Sequence, residues 1–143
     1  YEILRCLVGS EMCIRDSPYP VVLFDPTTKT YKEIGKGVYM AEHDDIVYVI
    51  YSETNYADNT STHTLYSYNA KTNEKVEKAF VQMPEKLKTS IITMLSINPE
   101  NGDFYIGAGD YTTNGDIYRF KKDGTFIEKF ECGIDPKAAV FID

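Results

Sequence analysis

Few groups in this chain could do covalent or acid–base chemistry. It has two histidines, three cysteines and no tryptophan, set against twelve tyrosines and 22 Asp and Glu residues. Neither His43 nor His63 stands in a Ser or Cys setting from which a nucleophile–base pair could be built, so no catalytic residue is assigned. His43-Asp44-Asp45 puts an imidazole beside two carboxylates, a set that could bind a metal or move a proton. The same residues separate two strand-like runs, where Asp supports a tight reversal, and a hairpin turn is the expectation. Asn98-Pro99-Glu100-Asn101-Gly102-Asp103 carries carboxylates without calcium-loop spacing, and its Asn101-Gly102 pair is a hairpin signal. Gly107-Ala108-Gly109 is a glycine pair with no helix after it, which makes a poor phosphate cradle. Asn59-Thr60-Ser61 matches a glycosylation sequon in form only. No metal and no cofactor is called for.

What remains is recognition chemistry. Glu53 to His63 reads as a long polar loop that offers Tyr56, Asp58 and His63 for hydrogen bonding and stacking. Asp110 to Asn114 is a second loop, with Asp110 and Tyr111, and Met83 to Ser90 is a third connection. Exposed tyrosine supplies contact area at low entropy cost, so loop tyrosines suit binding surfaces. The expected ligand-binding residues are therefore Tyr56, Asp58, His63, Asp110 and Tyr111.

The elements that must hold these loops are short β-runs. Strands are predicted over Val21–Phe24, Tyr31–Ile34, Gly37–Glu42, Ile46–Ser52, Thr64–Asn69, Lys75–Gln82, Ile91–Asn98, Asp103–Gly107, Gly115–Lys121, Thr125–Glu131 and Ala138–Ile142. The best helical stretch, Pro84–Ser90, is short. Ile46 to Tyr51 is apolar on both faces, as a strand between two layers should be. Turn chemistry recurs: Phe24-Asp25-Pro26-Thr27-Thr28 aligns with Tyr68-Asn69-Ala70-Lys71-Thr72 and then with Phe120-Lys121-Lys122-Asp123-Gly124, at spacings of 44 and 52 residues. Four strands per ~40–50-residue period is the pattern of a β-propeller blade, and blades stack because one alone cannot bury both faces. The fold class read here is all-β, an incomplete propeller of about two and a half four-stranded antiparallel blades, with Ala138–Ile142 as the innermost strand of a closing blade. Too few blades are present for a ring of ~4 to 8, so a longer parent protein is expected. A β-sandwich is the competing architecture, although it does not require so long a period.

Residues 1–17 stand apart from this pattern. Leu7-Val8-Gly9-Ser10-Glu11-Met12-Cys13-Ile14-Arg15-Asp16-Ser17 resembles the translation of a transposase-type sequencing adapter, and Tyr1-Glu2-Ile3 fits the end of a flow-cell adapter with a sample index between. The expected division is an adapter artefact over 1–17 and propeller blades over 18–143, with the native polypeptide resuming near Pro18. Cys6 and Cys13 then carry no information, and Cys132 alone can make neither an internal disulfide nor a Cys-based zinc site. It is expected as a small, half-buried apolar side chain near a strand end. Without the two Arg and three acidic residues of 1–17, the net charge changes from -7 to -6. An acidic chain with no Lys/Arg cluster is a poor phosphate-backbone surface, so no nucleic-acid partner is expected. No stretch after residue 17 approaches the ~18 to 20 apolar residues of a membrane span.

From Tyr105-Ile106-Gly107-Ala108-Gly109-Asp110-Tyr111, through Gly115-Asp116-Ile117-Tyr118-Arg119-Phe120 and Asp123-Gly124, to Gly133-Ile134-Asp135-Pro136, the chain resembles a known group. It is similar to the C-terminal end of the YncE-like seven-bladed propellers, secreted lipoproteins of gut Gram-negative bacteria often classed only as a domain of unknown function. The resemblance covers roughly Pro18 to Asp143 and is most specific after Asn98. It implies a cell-envelope location, in the periplasm or at the outer-membrane surface, and capture of a ligand for an outer-membrane transporter. One branch binds cobalamin, but none of its contacts is carried over to this chain. The expected function is non-enzymatic binding of a small molecule, glycan or transporter partner through loops at the channel mouth. The alternative is a propeller lyase or hydrolase acting on a polysaccharide, with its catalytic residues on other blades.

Overall fold

The computed structural model describes residues 2–5 and 19–142. The adapter-like run Leu7–Ser17, with Cys13 in it, Cys6, and the expected restart at Pro18 lie outside the described residues. The chain folds into three antiparallel sheets. The first comprises β1 (Glu2–Arg5), β2 (Pro20–Asp25) and β3 (Thr30–Lys36). The middle sheet is a meander of β4 (Tyr39–His43), β5 (Ile46–Asn55), β6 (Thr60–Asn69) and β7 (Glu74–Val76). One short helix, α1 (Glu85–Thr89), leads into the last sheet, whose strands β8 (Ile91–Ile97), β9 (Phe104–Gly109), β10 (Asn114–Phe120) and β11 (Phe126–Ile134) again lie in sequence order.

The recurring turns have a recurring cause. Asp25 Oδ1 accepts the Thr27 amide at 2.8 Å, Asn69 Oδ1 accepts Lys71 at 2.9 Å and Asp123 Oδ1 accepts Thr125 at 2.9 Å. Each side chain thereby supplies the acceptor that closes the turn. Each turn also contains one left-handed residue: Lys29 (φ 56°), Asn73 (φ 57°) or Gly124 (φ 91°). Only the last needs glycine for space as well, because a Cβ at Gly124 would run into the Phe80 carbonyl. His43-Asp44-Asp45 is likewise a turn, with Asp44 and Asp45 both left-handed (φ 53° and 62°) as a two-residue hairpin loop requires.

Period-two alternation builds two cores on opposite faces of the middle sheet. Val47 and Val49 of β5, with Tyr66 and Tyr68 of β6, meet Val21, Leu23 and Ile34 of the first sheet. Ile50 and Leu65 face the other way, onto Ile92, Leu95, Phe104, Ile106 and Phe120 of the last sheet. The doubly apolar run at Ile46–Tyr51 is thus a strand buried on both faces. Strand β4 packs against β8, so the first strands of the two four-stranded sheets are neighbours.

One predicted strand is cut short and another is absent. Of Lys75–Gln82 only Lys75 and Val76 pair, as the end of β7, after which the chain leaves the sheet. Phe80 packs on Tyr48 and Phe104 with ring centroids 5.0 and 5.2 Å away, while its neighbour Val81 is buried in the same core. Two consecutive inward side chains cannot be met by a strand, whose successive residues face opposite sides. The Gln82 amide instead donates to the Gly124 carbonyl at 2.8 Å, which ties the crossing to the last sheet. Ala138–Ile142 forms no strand either. Residues 136–142 lie against the last sheet: Pro136 sits over Gly107 and Gly115, and Phe141 packs on Tyr105 at 5.1 Å. Among the described residues this segment pairs with no strand, and Val140 and Ile142 stay exposed.

Candidate functional site

The Glu53–His63 segment is shorter as a loop than expected. Strands β5 and β6 pair out to Asn55 and Thr60, which leaves 56–59 as the turn. Hydroxyls and amides make that extension favourable: Thr54 Oγ1 and Ser61 Oγ bond at 2.8 Å across the ladder, and Asn55 Oδ1 accepts the Ala57 amide at 3.0 Å. Asp58 is held inside the turn. Its Oδ1 accepts the Thr60 hydroxyl at 2.6 Å and the Thr60 amide at 3.0 Å, and these two bonds lower its pKa below the ordinary carboxylate value.

Asp110 does the same work in the second loop. It accepts the Thr113 and Thr112 amides at 2.8 and 2.9 Å and the Thr113 hydroxyl at 3.0 Å, and these bonds hold its carboxyl far below the usual range. Both acids are spent on backbone geometry, and a tyrosine stands close to each in sequence, Tyr56 two residues before Asp58 and Tyr111 next to Asp110. Tyr56 is 74% exposed and Tyr111 45% exposed. Tyr111 is held left-handed at φ 66°, a costly conformation for an aromatic residue that the Asp110 turn imposes. The Lys137 ammonium sits 5.3 Å from the centroid of its ring.

His63 has a different place from the one its sequence position suggested. It lies in β6, half-buried, opposite Ser52. Its Nε2 is 2.8 Å from the Ser90 carbonyl and its Nδ1 is 2.8 Å from Ser52 Oγ. A carbonyl only accepts, so Nε2 carries the proton and Nδ1 accepts the serine hydroxyl. Burial pushes the imidazole below its ordinary 6.5, against a smaller pull from the Ser90 and Leu87 carbonyls. His63 is thus a neutral tie between the middle sheet and the start of β8, and it does not belong to the exposed loop surface.

Tyr56 and Tyr111, far apart in sequence, line one cavity of about 350 Å³. Tyr19, Tyr39 and Tyr51 line it with them, together with Glu53. The Tyr51 hydroxyl donates to Glu53 Oε1 at 2.9 Å, and the Lys36 ammonium lies 5.8 Å from the Tyr51 ring centroid. Sequence reasoning missed Tyr39 and Tyr51 because they fall in strands, where an aromatic residue reads as packing, and Tyr19 because it precedes the first predicted strand, Val21–Phe24. A usable signal existed in β5: Tyr51 and Glu53 share one face close to the end that carries Tyr56. No protein-family model matches the chain, and no curated protein matches it at a significant level.

A second cavity of about 240 Å³ lies alongside, lined by Asn59, Lys86, Asp110, Thr113, Asn114 and Asp116. Lys86 Nζ is 3.1 Å and Lys129 Nζ 3.6 Å from the same Asp116 oxygen. Among the described residues no group of three or more His, Cys, Asp or Glu is placed to hold a metal ion, and no helix is long and apolar enough to cross a membrane. The carboxylates of the His43-Asp44-Asp45 turn face lysines, with Asp44 2.6 Å from Lys122 and Asp45 2.7 Å from Lys71. In the Asn98–Asp103 turn, Asp103 Oδ2 receives both Arg119 Nε (3.1 Å) and Nη2 (2.7 Å). Cys132 is half-buried near the end of β11, with Sγ 3.3 Å from the Gly115 carbonyl.

Proposed function

We propose that this protein binds a small molecule without transforming it, at the rim where the β5–β6 turn meets the β9–β10 loop. The observation that carries the reading is the convergence of Tyr56 and Tyr111 on one cavity with three further tyrosines. A cleft walled by rigid aromatic side chains, each ending in a hydrogen-bonding hydroxyl, suits retention of a ligand with an apolar face and a polar edge. Asp58 and Asp110 are committed to their turns and Asp116 to an ion pair, while Glu53 accepts the Tyr51 hydroxyl. The test is ligand-observed NMR of the whole chain against a panel of small metabolites. Hits should disappear in the Tyr56→Ala/Tyr111→Ala double variant and persist in Tyr31→Ala, which removes an equally exposed tyrosine from β3. Hits that survive the double variant would remove the site from these loops.

We further propose that the chain is the C-terminal part of a YncE-like β-propeller of the bacterial cell envelope, with residues 1–17 as translated adapter. Two four-stranded meanders with adjacent first strands, and the same turn chemistry in all three sheets, support that reading. Strands β2 and β3 correspond to the outer pair of such a unit, since their turn matches the one between β6 and β7. Sequencing the source DNA upstream of the codon for Pro18 tests it. Further repeats of similar period are expected in frame, and a start codon directly before Pro18 would overturn the reading.

A further inference from the structure

The two cavities are built by the same pair of loops. The β5–β6 turn gives Tyr56 to the larger cavity and Asn59 to the smaller, and the β9–β10 loop gives Tyr111 to the larger and Asp110 and Thr113 to the smaller. Ile91 lines both. They are therefore two compartments of one rim site, divided by the loop that carries Tyr111. Resting on the binding role proposed above, we infer that the ligand is a neutral oligosaccharide, with one sugar ring against the tyrosines and the next among the polar groups of the smaller compartment.

The chemistry of each compartment narrows the ligand. The larger one offers phenol faces, on which the C–H face of a pyranose stacks, and hydroxyls at their rims. The smaller one offers the amide of Asn59, the amide oxygen of Asn114, whose nitrogen donates to Glu131 at 3.1 Å, and the Lys86–Asp116 pair, donors and acceptors side by side as adjacent ring hydroxyls require. Anionic ligands are disfavoured. Glu53 lines the larger compartment and offsets Lys36 at Tyr51, Lys137 at Tyr111 is paired with Asp135 at 2.9 Å, Lys86 in the smaller compartment is paired with Asp116, and Asp110 adds a further negative charge. A cationic ligand is disfavoured at the tyrosines because Lys137 already lies over the Tyr111 ring. A hydroxyl-rich ligand with no charge meets neither obstacle, and two compartments side by side take successive units of one chain.

The test is calorimetric titration of the whole chain with gluco-, manno- and xylo-oligosaccharides of increasing length, with choline and inorganic phosphate as charged probes. In at least one sugar series, affinity should rise by about tenfold or more from the single sugar to the longer chains. Asn59→Gly removes an amide from the smaller compartment while keeping the left-handed backbone at φ 55°. It should abolish the gain with length and leave single-sugar binding unchanged, whereas Tyr56→Ala should weaken binding at every length. Urea midpoints close to that of the parent chain establish that both variants are folded. Affinity that does not depend on length, a gain that survives Asn59→Gly, or no binding of any sugar overturns the inference. Choline or phosphate binding that is lost in Tyr56→Ala also overturns it, while leaving the aromatic site itself standing. Failure of the broader binding role is read separately, as a metabolite panel with no hit sensitive to the tyrosine pair.

Discussion

At the scale of single residues, several polar side chains around the two cavities are spent on shaping the loops and joining the sheets. Asp110 shapes it: replacement by Ala removes the acceptor of the Thr112 and Thr113 amides, so both should exchange with solvent faster by hydrogen-exchange NMR. His63 holds two sheets together. His63→Ala leaves the Ser52 hydroxyl and the Ser90 carbonyl without their partner, and should cost about 1–3 kcal/mol by urea denaturation. The same residue makes stability depend on pH. Its pKa in the folded protein lies below the ordinary 6.5, so the unfolded chain binds the extra proton more readily. The stability His63 contributes is complete above about pH 6.5 and is lost as pH falls through its folded-state pKa. His63→Gln should flatten that dependence when urea midpoints are compared between about pH 7.5 and about pH 5. An unchanged slope would mean that His63 is not the titrating group.

At the scale of elements, the crossing from β7 to α1 joins the middle and last sheets and forms no strand after Val76. It depends on Gly124, where the chain passes the Phe80 carbonyl in a left-handed conformation. Gly124→Ala should therefore destabilise the fold by about 1–3 kcal/mol, measured as a lower urea midpoint. An unchanged midpoint would show that the β10–β11 turn can open without disturbing the crossing. Tyr48, Phe80 and Phe104 pack at centroid distances of 4.8–5.2 Å, so displacing Phe80 disturbs the contact between the two sheets along with the turn. The helix matters less for its length than for its position. Leu87 is fully buried, and Lys86 and Ser90 line the smaller cavity.

At the scale of the whole molecule, three sheets enclose two cores that start, among the described residues, at Val21. Strand β1 occupies the edge of β2, in register from Glu2 opposite Phe24 to Arg5 opposite Val21. A chain lacking residues 1–17 should still unfold cooperatively, because both cores remain, but it should self-associate more readily through the uncovered β2 edge. Sedimentation and thermal unfolding check both outcomes. Loss of the cooperative transition would show that the first residues are integral to the fold. The segment after Asp135 covers Gly107 and Gly115 of the last sheet. Truncation there should bare that face and raise binding of a hydrophobic dye.

Local chemistry was legible from sequence because it acts over a few residues. Asp25, Asn69 and Asp123 declare their turns, and Ile46–Tyr51 declares a strand with two apolar faces, since both properties belong to the segment itself. Lys75–Gln82 misled because its composition is strand-like, yet Phe80 and Val81 are drawn inward by a core supplied from other sheets. His63 looked like a loop residue because nothing local shows that β5 and β6 pair as far as Asn55 and Thr60, or that Ser90 lies within hydrogen-bonding distance. The gathering of Tyr19, Tyr39 and Tyr51 around Tyr56 and Tyr111 was decided only by the packing of one sheet on the next. Turn type and strand face follow from the order of residues along the chain, whereas a cavity is a relation between surfaces whose distance is set by the side chains buried between them.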